Sequence, residues 1–230
     1  MDIFLQHLIN GLVLGSIYAL VALGYTMVYG ILELINFAHG EVTMVGAMVA
    51  LAIIGLFSTV PIPGIGLLLL GLAGAVLICA ALGAVIERVA YRPLRKAPRL
   101  AALITAIGVS IVLQNLAMII WGRQYIAFPP ILPITRYELA GATVTSLQLF
   151  IVTLSALAMM ILYWLVQKTK LGRAMRATAQ SAEVAGLMGV NINKIISITF
   201  VLGSALAAVA GVMVSAYYGL AHYYMGFLLG

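Results

Sequence analysis

The chain has 230 residues, of which 64% are hydrophobic and 8% charged, whereas soluble globular domains carry about a quarter charged residues. This composition excludes a soluble domain and reads as a membrane protein, with room for about six spans at roughly 20 apolar residues each. The net charge of +6 sits in short basic blocks between apolar runs, a pattern of topology signals and anionic-lipid attraction rather than of nucleic-acid binding.

Charge-free runs and breakers predict the elements. Ile3 to Leu32 carries no charged side chain and contains a first span from about Leu8 to Tyr29. No basic region precedes it, so it reads as a retained span rather than a cleaved leader. The next charge-free interval, Val42 to Ile86, is split by "STVPIPG", Ser58 to Gly64, whose prolines and glycine stop helices. Spans are therefore expected from about Val42 to Phe57 and from about Ile65 to Ile86. Ala101 to Trp121, Leu147 to Val166 and Ile195 to Tyr218 supply three more, and the chain reaches Gly230 inside another apolar stretch. The expected fold class is all-α: a polytopic transmembrane bundle of about six spans, organised as one domain over residues 1–230.

Ten of the twelve basic residues lie in two loops, around Arg88–Arg99 and around Lys168–Lys194. An even number of spans separates them, so both face one side, which the positive-inside rule makes the cytoplasm. The N-terminus is then external. Stripes of small residues at four-residue spacing, Gly11 and Gly15, Ala75, Cys79 and Gly83, and Gly203, Ala207, Gly211 and Ser215, are the pattern that lets helices approach closely in lipid. Cys79 is the only cysteine, which excludes an intrachain disulfide.

Two polar constellations interrupt this pattern. The first is "LINFAHGEVTM", Leu34 to Met44, with Asn36, His39, Gly40 and Glu41 together. An ionisable group at the bilayer centre costs about 2.5–3.5 kcal/mol on insertion scales, so such residues face a cavity or a partner. Gly30 and Gly40 flank a segment in which Asn36 can bond its own backbone, so a helix is expected to break here, or re-enter, and restart near Glu41. Two readings stand. The break lines a polar path through the membrane, or Glu41 caps the restarting helix while Asn36 and His39 bond loop carbonyls at the cytoplasmic edge.

The second is the cytoplasmic loop of about residues 168–194. Ser181 is expected to cap a two-turn helix with Glu183 in its first turn, Gly189 to end it, and Asn193 to cap the next span. Such a helix presents Ala185, Leu187 and Met188, with Arg173 and Arg176 nearby, either to a groove on a soluble partner or to the lipid surface. Chemistry on the chain itself is not expected. Asp2 is the only aspartate, no Gly-x-Ser-x-Gly elbow is present, and three scattered histidines with one cysteine give no metal-ligand spacing. No Gly-x4-Gly-Lys-Ser/Thr loop is present to bind a nucleotide.

Three stretches, "NGLVLGSIYALVALGYTMVYGILELINFAHGE", "ERVAYRPLRKAPRLAALITAIGVSIVLQN" and "GRAMRATAQSAEVAGLMGVNINKIISITFVLGSALAAVAGV", resemble the LivH-type permeases of bacterial ABC importers for branched-chain amino acids. The resemblance runs from about Asn10 to Gly230. It implies a multi-pass subunit of the bacterial inner membrane that needs no cofactor of its own and forms half of a path for leucine, isoleucine and valine. It further implies a second, LivM-like permease, two ATP-binding subunits and a periplasmic substrate-binding protein as partners. The family's coupling-loop pattern of Glu-Ala-Ala, three residues and Gly fits Glu183, Ala185 and Gly189, with Val184 the one departure. The family continues beyond the point where this chain stops, so the chain is expected to be C-terminally truncated relative to it. Other readings are a permease for urea and short amides in the same family, and a proton-coupled transporter using His39 and Glu41.

Overall fold

The computed structural model describes residues 2–32, 34–95, 97–131, 135–139 and 141–229; Lys96 of the first basic loop and the terminal Gly230 lie outside them. Among the described residues, six helices are long and apolar enough to cross a membrane. In chain order they are α1 (Asp2–Leu32), α2 (His39–Leu56), α3 (Gly64–Ile86), α4 (Arg99–Trp121), then α5 (Ser146–Lys168) and, after two short helices α6 (Lys170–Gln180) and α7 (Ala182–Leu187), α8 (Ile192–Tyr218). A π-helical turn (Glu87–Tyr91) and a 3₁₀ turn (Arg92–Leu94) extend α3, and α9 (Met225–Leu229) follows α8. Each expected span is present, with every start shifted outward and most ends where expected or within a few residues. Apolarity marks the buried length of a helix, whereas the hydrogen-bond ladder runs on into the interfacial region.

Side-chain contacts confirm the predicted parity. The two basic loops meet at one end, where Arg95 bonds Asn193 and Ser197 bonds Glu87. At the opposite end, Gln6 of α1 exchanges two hydrogen bonds with the backbone of Thr143, at 2.8 and 3.1 Å, and Gln148 donates to Asn10 at 3.0 Å. The proline-containing polar segment between α4 and α5 contains strands β1 (Ile126–Ala127), β2 (Arg136–Leu139) and β3 (Ala142–Thr145). β2 and β3 form an antiparallel hairpin, and β1 pairs with β4 (Leu220–Ala221) just beyond α8. The start of α5 carries a reciprocal cap between Thr145 and Gln148.

α2 and α8 are the most buried helices and cross at the centre, with α1, α3, α4 and α5 around them. One core joins α2, α3 and α8 through Ile54, Leu68, Cys79, Phe200 and Ala207. A second joins α1, α5 and α8 through Ile17, Leu20, Ile151 and Met213. Gly211 lets α8 lie directly on the Thr43 carbonyl of α2, a contact that leaves no room for a Cβ. The stripes on α3 and α8 thus do pack helices, as expected. Gly11 and Gly15 do not: each faces open space, because the spacing reports a narrow face without reporting what lies opposite. Several buried hydroxyls are satisfied along their own helices, as in Thr43 to the His39 carbonyl at 3.2 Å and Ser215 to the Gly211 carbonyl at 2.9 Å.

This contrast gives a paired prediction for thermal unfolding in detergent. Gly211→Ala lowers stability by about 1–3 kcal/mol, the cost of overpacking, while Gly11→Ala leaves it unchanged or raises it by up to about 1 kcal/mol. Equal transitions for the two variants would refute the close contact.

Candidate functional site

The site is the break between α1 and α2, whose backbone must find partners within the protein. His39 N–H donates to the Asn36 carbonyl at 2.9 Å, and Val42 N–H to the Ala38 carbonyl at 3.0 Å. Asn36 is buried, and its Oδ1 accepts from the Ala38 N–H at 3.2 Å and from the Tyr91 hydroxyl at 2.9 Å. The expected local bond of Asn36 is therefore present, and a second bond anchors the break to the π-helical turn after α3.

The break turns back into the bundle. His39, the first residue of α2, packs its ring on Gly24, where a Cβ would lie 2.5 Å from Cε1 and 2.6 Å from Nε2. From Gly24, α1 continues for about two further turns to Leu32, so the chain descends past His39 and then climbs back to it. The ring also leans on Tyr25, with centroids 4.7 Å apart. Glu41 lies in the first turn of α2 and reaches sideways to the middle of α4, where Ser110 Oγ and Gln114 Nε2 donate to its Oε1 at 3.2 and 2.6 Å. Gly226 of α9 packs against its other face.

These positions correct part of the sequence reading. Glu41 does not cap α2: the N-cap is Ala38, which makes no side-chain cap bond. His39 and Glu41 sit within the bundle, not at its cytoplasmic edge, and each is 1% exposed. Asn36, His39 and Glu41 also fan out to three different elements and do not converge. Among the described residues, the buried His39 Nε2 and Glu41 Oε2 have no hydrogen-bond partner, and no three His, Cys, Asp or Glu side chains stand close enough to hold a metal. Unpaired buried polar atoms are costly in an apolar slab, and these two lie along a seam between α1, α2, α4 and α9. Its unforeseen members are Gly24, Tyr25, Tyr91, Ser110, Gln114 and Gly226. Ser110 and Gln114 carried a signal, two polar residues at i, i+4 in an apolar span.

At the basic end, α6 is an amphipathic helix that the sequence reading treated as loop. It buries Gly172, Met175 and Thr178 and exposes Arg173 and Arg176; the Arg176 guanidinium donates to the Val166 carbonyl at the end of α5. α7 begins as expected, with Ser181 Oγ accepting from Val184 N–H at 3.3 Å and Glu183 exposed in its first turn. It ends at Gly189, whose φ of 84° is left-handed, and Val190 N–H reaches back to the Ala185 carbonyl at 3.0 Å. Leu187 and Met188 are 83% and 80% exposed. Ala185 departs from the expectation: it is buried, and Val184 joins the exposed knob in its place. The cap of α8 is Asn191, which accepts from Lys194 N–H at 3.1 Å, not Asn193, which bonds Arg95.

The contact between Gly24 and His39 yields a testable coupling. Gly24→Ala forces the ring to shift and destabilises the protein by about 1–3 kcal/mol, and in the background of His39→Ala most of that cost disappears. Additive losses in the double variant, measured by thermal unfolding, would place the ring elsewhere.

Residues 7–230 match the family described as the permease component of the branched-chain amino acid transport system. The chain is 45% identical to LivH of Escherichia coli K12, a high-affinity branched-chain amino acid transport system permease protein, over 99% of this chain and 75% of LivH. It is 44% identical to BraD of Pseudomonas aeruginosa, over 99% of this chain and 76% of BraD. It is 29% identical to a probable LivH of Methanocaldococcus jannaschii, over 88% of this chain and 63% of that protein. The chain thus spans about three quarters of the length of LivH and BraD, and no solved structure matches it. A bundle of six apolar helices with this likeness along nearly its whole length belongs to the branched-chain amino acid ABC transport permeases: it is a multi-pass permease component, not an enzyme.

Proposed function

We propose that this chain forms one half of the membrane path of an ATP-driven importer for leucine, isoleucine and valine. The observation that carries this reading is the 45% identity with LivH over 99% of the chain. The other half of the path is a second, LivM-like permease; two ATP-binding subunits dock at the basic end, and a periplasmic binding protein delivers substrate at the opposite end. Residues 1–230 act as one permease domain. Within it, Asn36, His39, Gly40 and Glu41 hold a re-entrant hairpin beside the path.

The α7 loop is the coupling element of this reading. Leu187 and Met188 project from the basic end and supply the apolar contact that seats in a groove of an ATPase subunit. Ala185 and Gly189 fix the shape that presents them, Glu183 stabilises the first turn, and Arg173 and Arg176 flank the knob. ATP-driven closure of the two ATPases moves α7, which feeds directly into α8 at the centre of the bundle. Substrate choice rests largely with the binding protein.

In proteoliposomes holding the complete transporter, leucine uptake will require both ATP and the binding protein, and urea will not compete. Competition by urea would move the substrate to short amides, and uptake driven by a proton gradient without the ATPases would overturn the importer reading. Leu187→Glu combined with Met188→Glu will release the ATPases on co-purification while leaving thermal unfolding of the permease unchanged, since both side chains are exposed. Retention of the ATPases with normal transport would exclude this loop as their dock.

A further inference from the structure

The importer reading leaves unexplained how a movement of α7 reaches the hairpin at Asn36. The structure supplies a connection at the cytoplasmic end. Glu87 is an acidic residue at the end of an apolar span, yet it is 1% exposed. Its Oε1 pairs with the Arg95 guanidinium, and its Oε2 accepts from Ser197 Oγ of α8 at 2.6 Å. Arg95 also donates to Asn193 Oδ1, two residues after the cap of α8. The base of α8, where α7 delivers any displacement, is therefore gripped at Asn193 and Ser197 by one ion pair whose acid is buried and whose guanidinium is partly exposed.

Glu87 opens the π-helical turn that Tyr91 closes. Tyr91 is buried, packs its ring on Phe200 of α8 with centroids 5.1 Å apart, and donates its hydroxyl to Asn36 Oδ1 at 2.9 Å. One five-residue turn thus holds the base of α8 at its first residue and the hairpin at its last. π-helical turns inside α-helices are uncommon and recur at functional positions. An ion pair that takes an acid out of water is also a poor source of net stability, which favours a role in fixing geometry.

We propose that Glu87, Arg95 and Tyr91 are positioning residues that transmit movement of the Ser181–Gly189 loop, through the π-helical turn, to the hairpin at Asn36. The inference rests on the importer reading and adds the route of coupling to it. The relay moves as a rigid turn: α7 shifts the base of α8, the Glu87–Arg95 clamp carries the turn with it, and Tyr91 draws Asn36.

The test measures ATP hydrolysed per leucine transported by the complete reconstituted transporter carrying Y91F, E87Q, R95Q or R95K. Breaking the relay raises this ratio by roughly threefold to tenfold, the scale of one lost hydrogen bond, whereas simple loss of folded protein lowers hydrolysis and transport together. R95K keeps the charge facing Glu87 and restores part of the coupling lost in R95Q. E87Q combined with Y91F is no worse than the more severe single variant, because both interrupt the same route. Should E87Q fail to assemble, Y91F decides alone, since it alters no charge and removes one hydroxyl. An unchanged ratio in an assembled Y91F complex, or multiplying effects in the double variant, would overturn the relay while leaving the importer reading intact. Absence of ATP-driven uptake by the unsubstituted complex would instead overturn the importer reading, and the relay with it.

Discussion

A helix that stops inside an apolar slab leaves N–H and C=O groups that no solvent can satisfy, at a cost of several kcal/mol each. The break between α1 and α2 meets this constraint with one side chain. Asn36 closes the turn onto Ala38 N–H and ties it to Tyr91, which lets α2 begin at the depth of Gly24 rather than at the membrane edge. The arrangement of the bundle follows from that placement. α2 lies at the centre, its first turn faces α1, α4 and α9 at once, and Gly24 and Gly226 are the residues whose missing side chains admit His39 and Glu41.

The two buried acids in the described structure are treated differently, and the difference fits the roles proposed for them. Glu87, at the cytoplasmic end, is matched by a guanidinium and a hydroxyl, an arrangement that holds one geometry. Glu41, deep in the bundle, takes neutral donors on one oxygen only. The first suits a joint that carries force. The second suits a seam beside a path for small polar molecules, where a fully neutralised group would contribute nothing to passage.

The sequence made the spans legible because the bilayer sets one length for all of them, and it made the shared end of the two basic loops legible because ten basic residues cluster there with an even number of spans between. The break at Asn36 and the ends of α7 were equally plain, since Asn, Ser and Gly act there through local backbone bonds. What depended on long-range packing was not legible. Glu41 looked like a cap because caps are local, whereas its partners lie 69 and 73 residues away. Ala185 was expected to face outward and is buried, because a six-residue helix has too little periodicity to define its inner face. Asn191 and Asn193 are both competent caps by residue type; Asn191 caps α8, and Asn193 lies inside it and bonds Arg95. α6 was hidden by its charge: three buried positions at spacing three are a weak signal beside two arginines and a lysine. The β2–β3 hairpin was obscured by the prolines that precede it.

The central claim is that the hairpin borders the path and moves with the nucleotide cycle. Cys79 is the one native cysteine and is buried, so a single reporter at Ile35→Cys, an exposed position in the hairpin, can be followed in the complete transporter with a membrane-impermeant thiol reagent. The account predicts that its modification rate from the cytoplasmic side differs severalfold between the nucleotide-free and ATP-trapped states. Equal rates in the two states would contradict it.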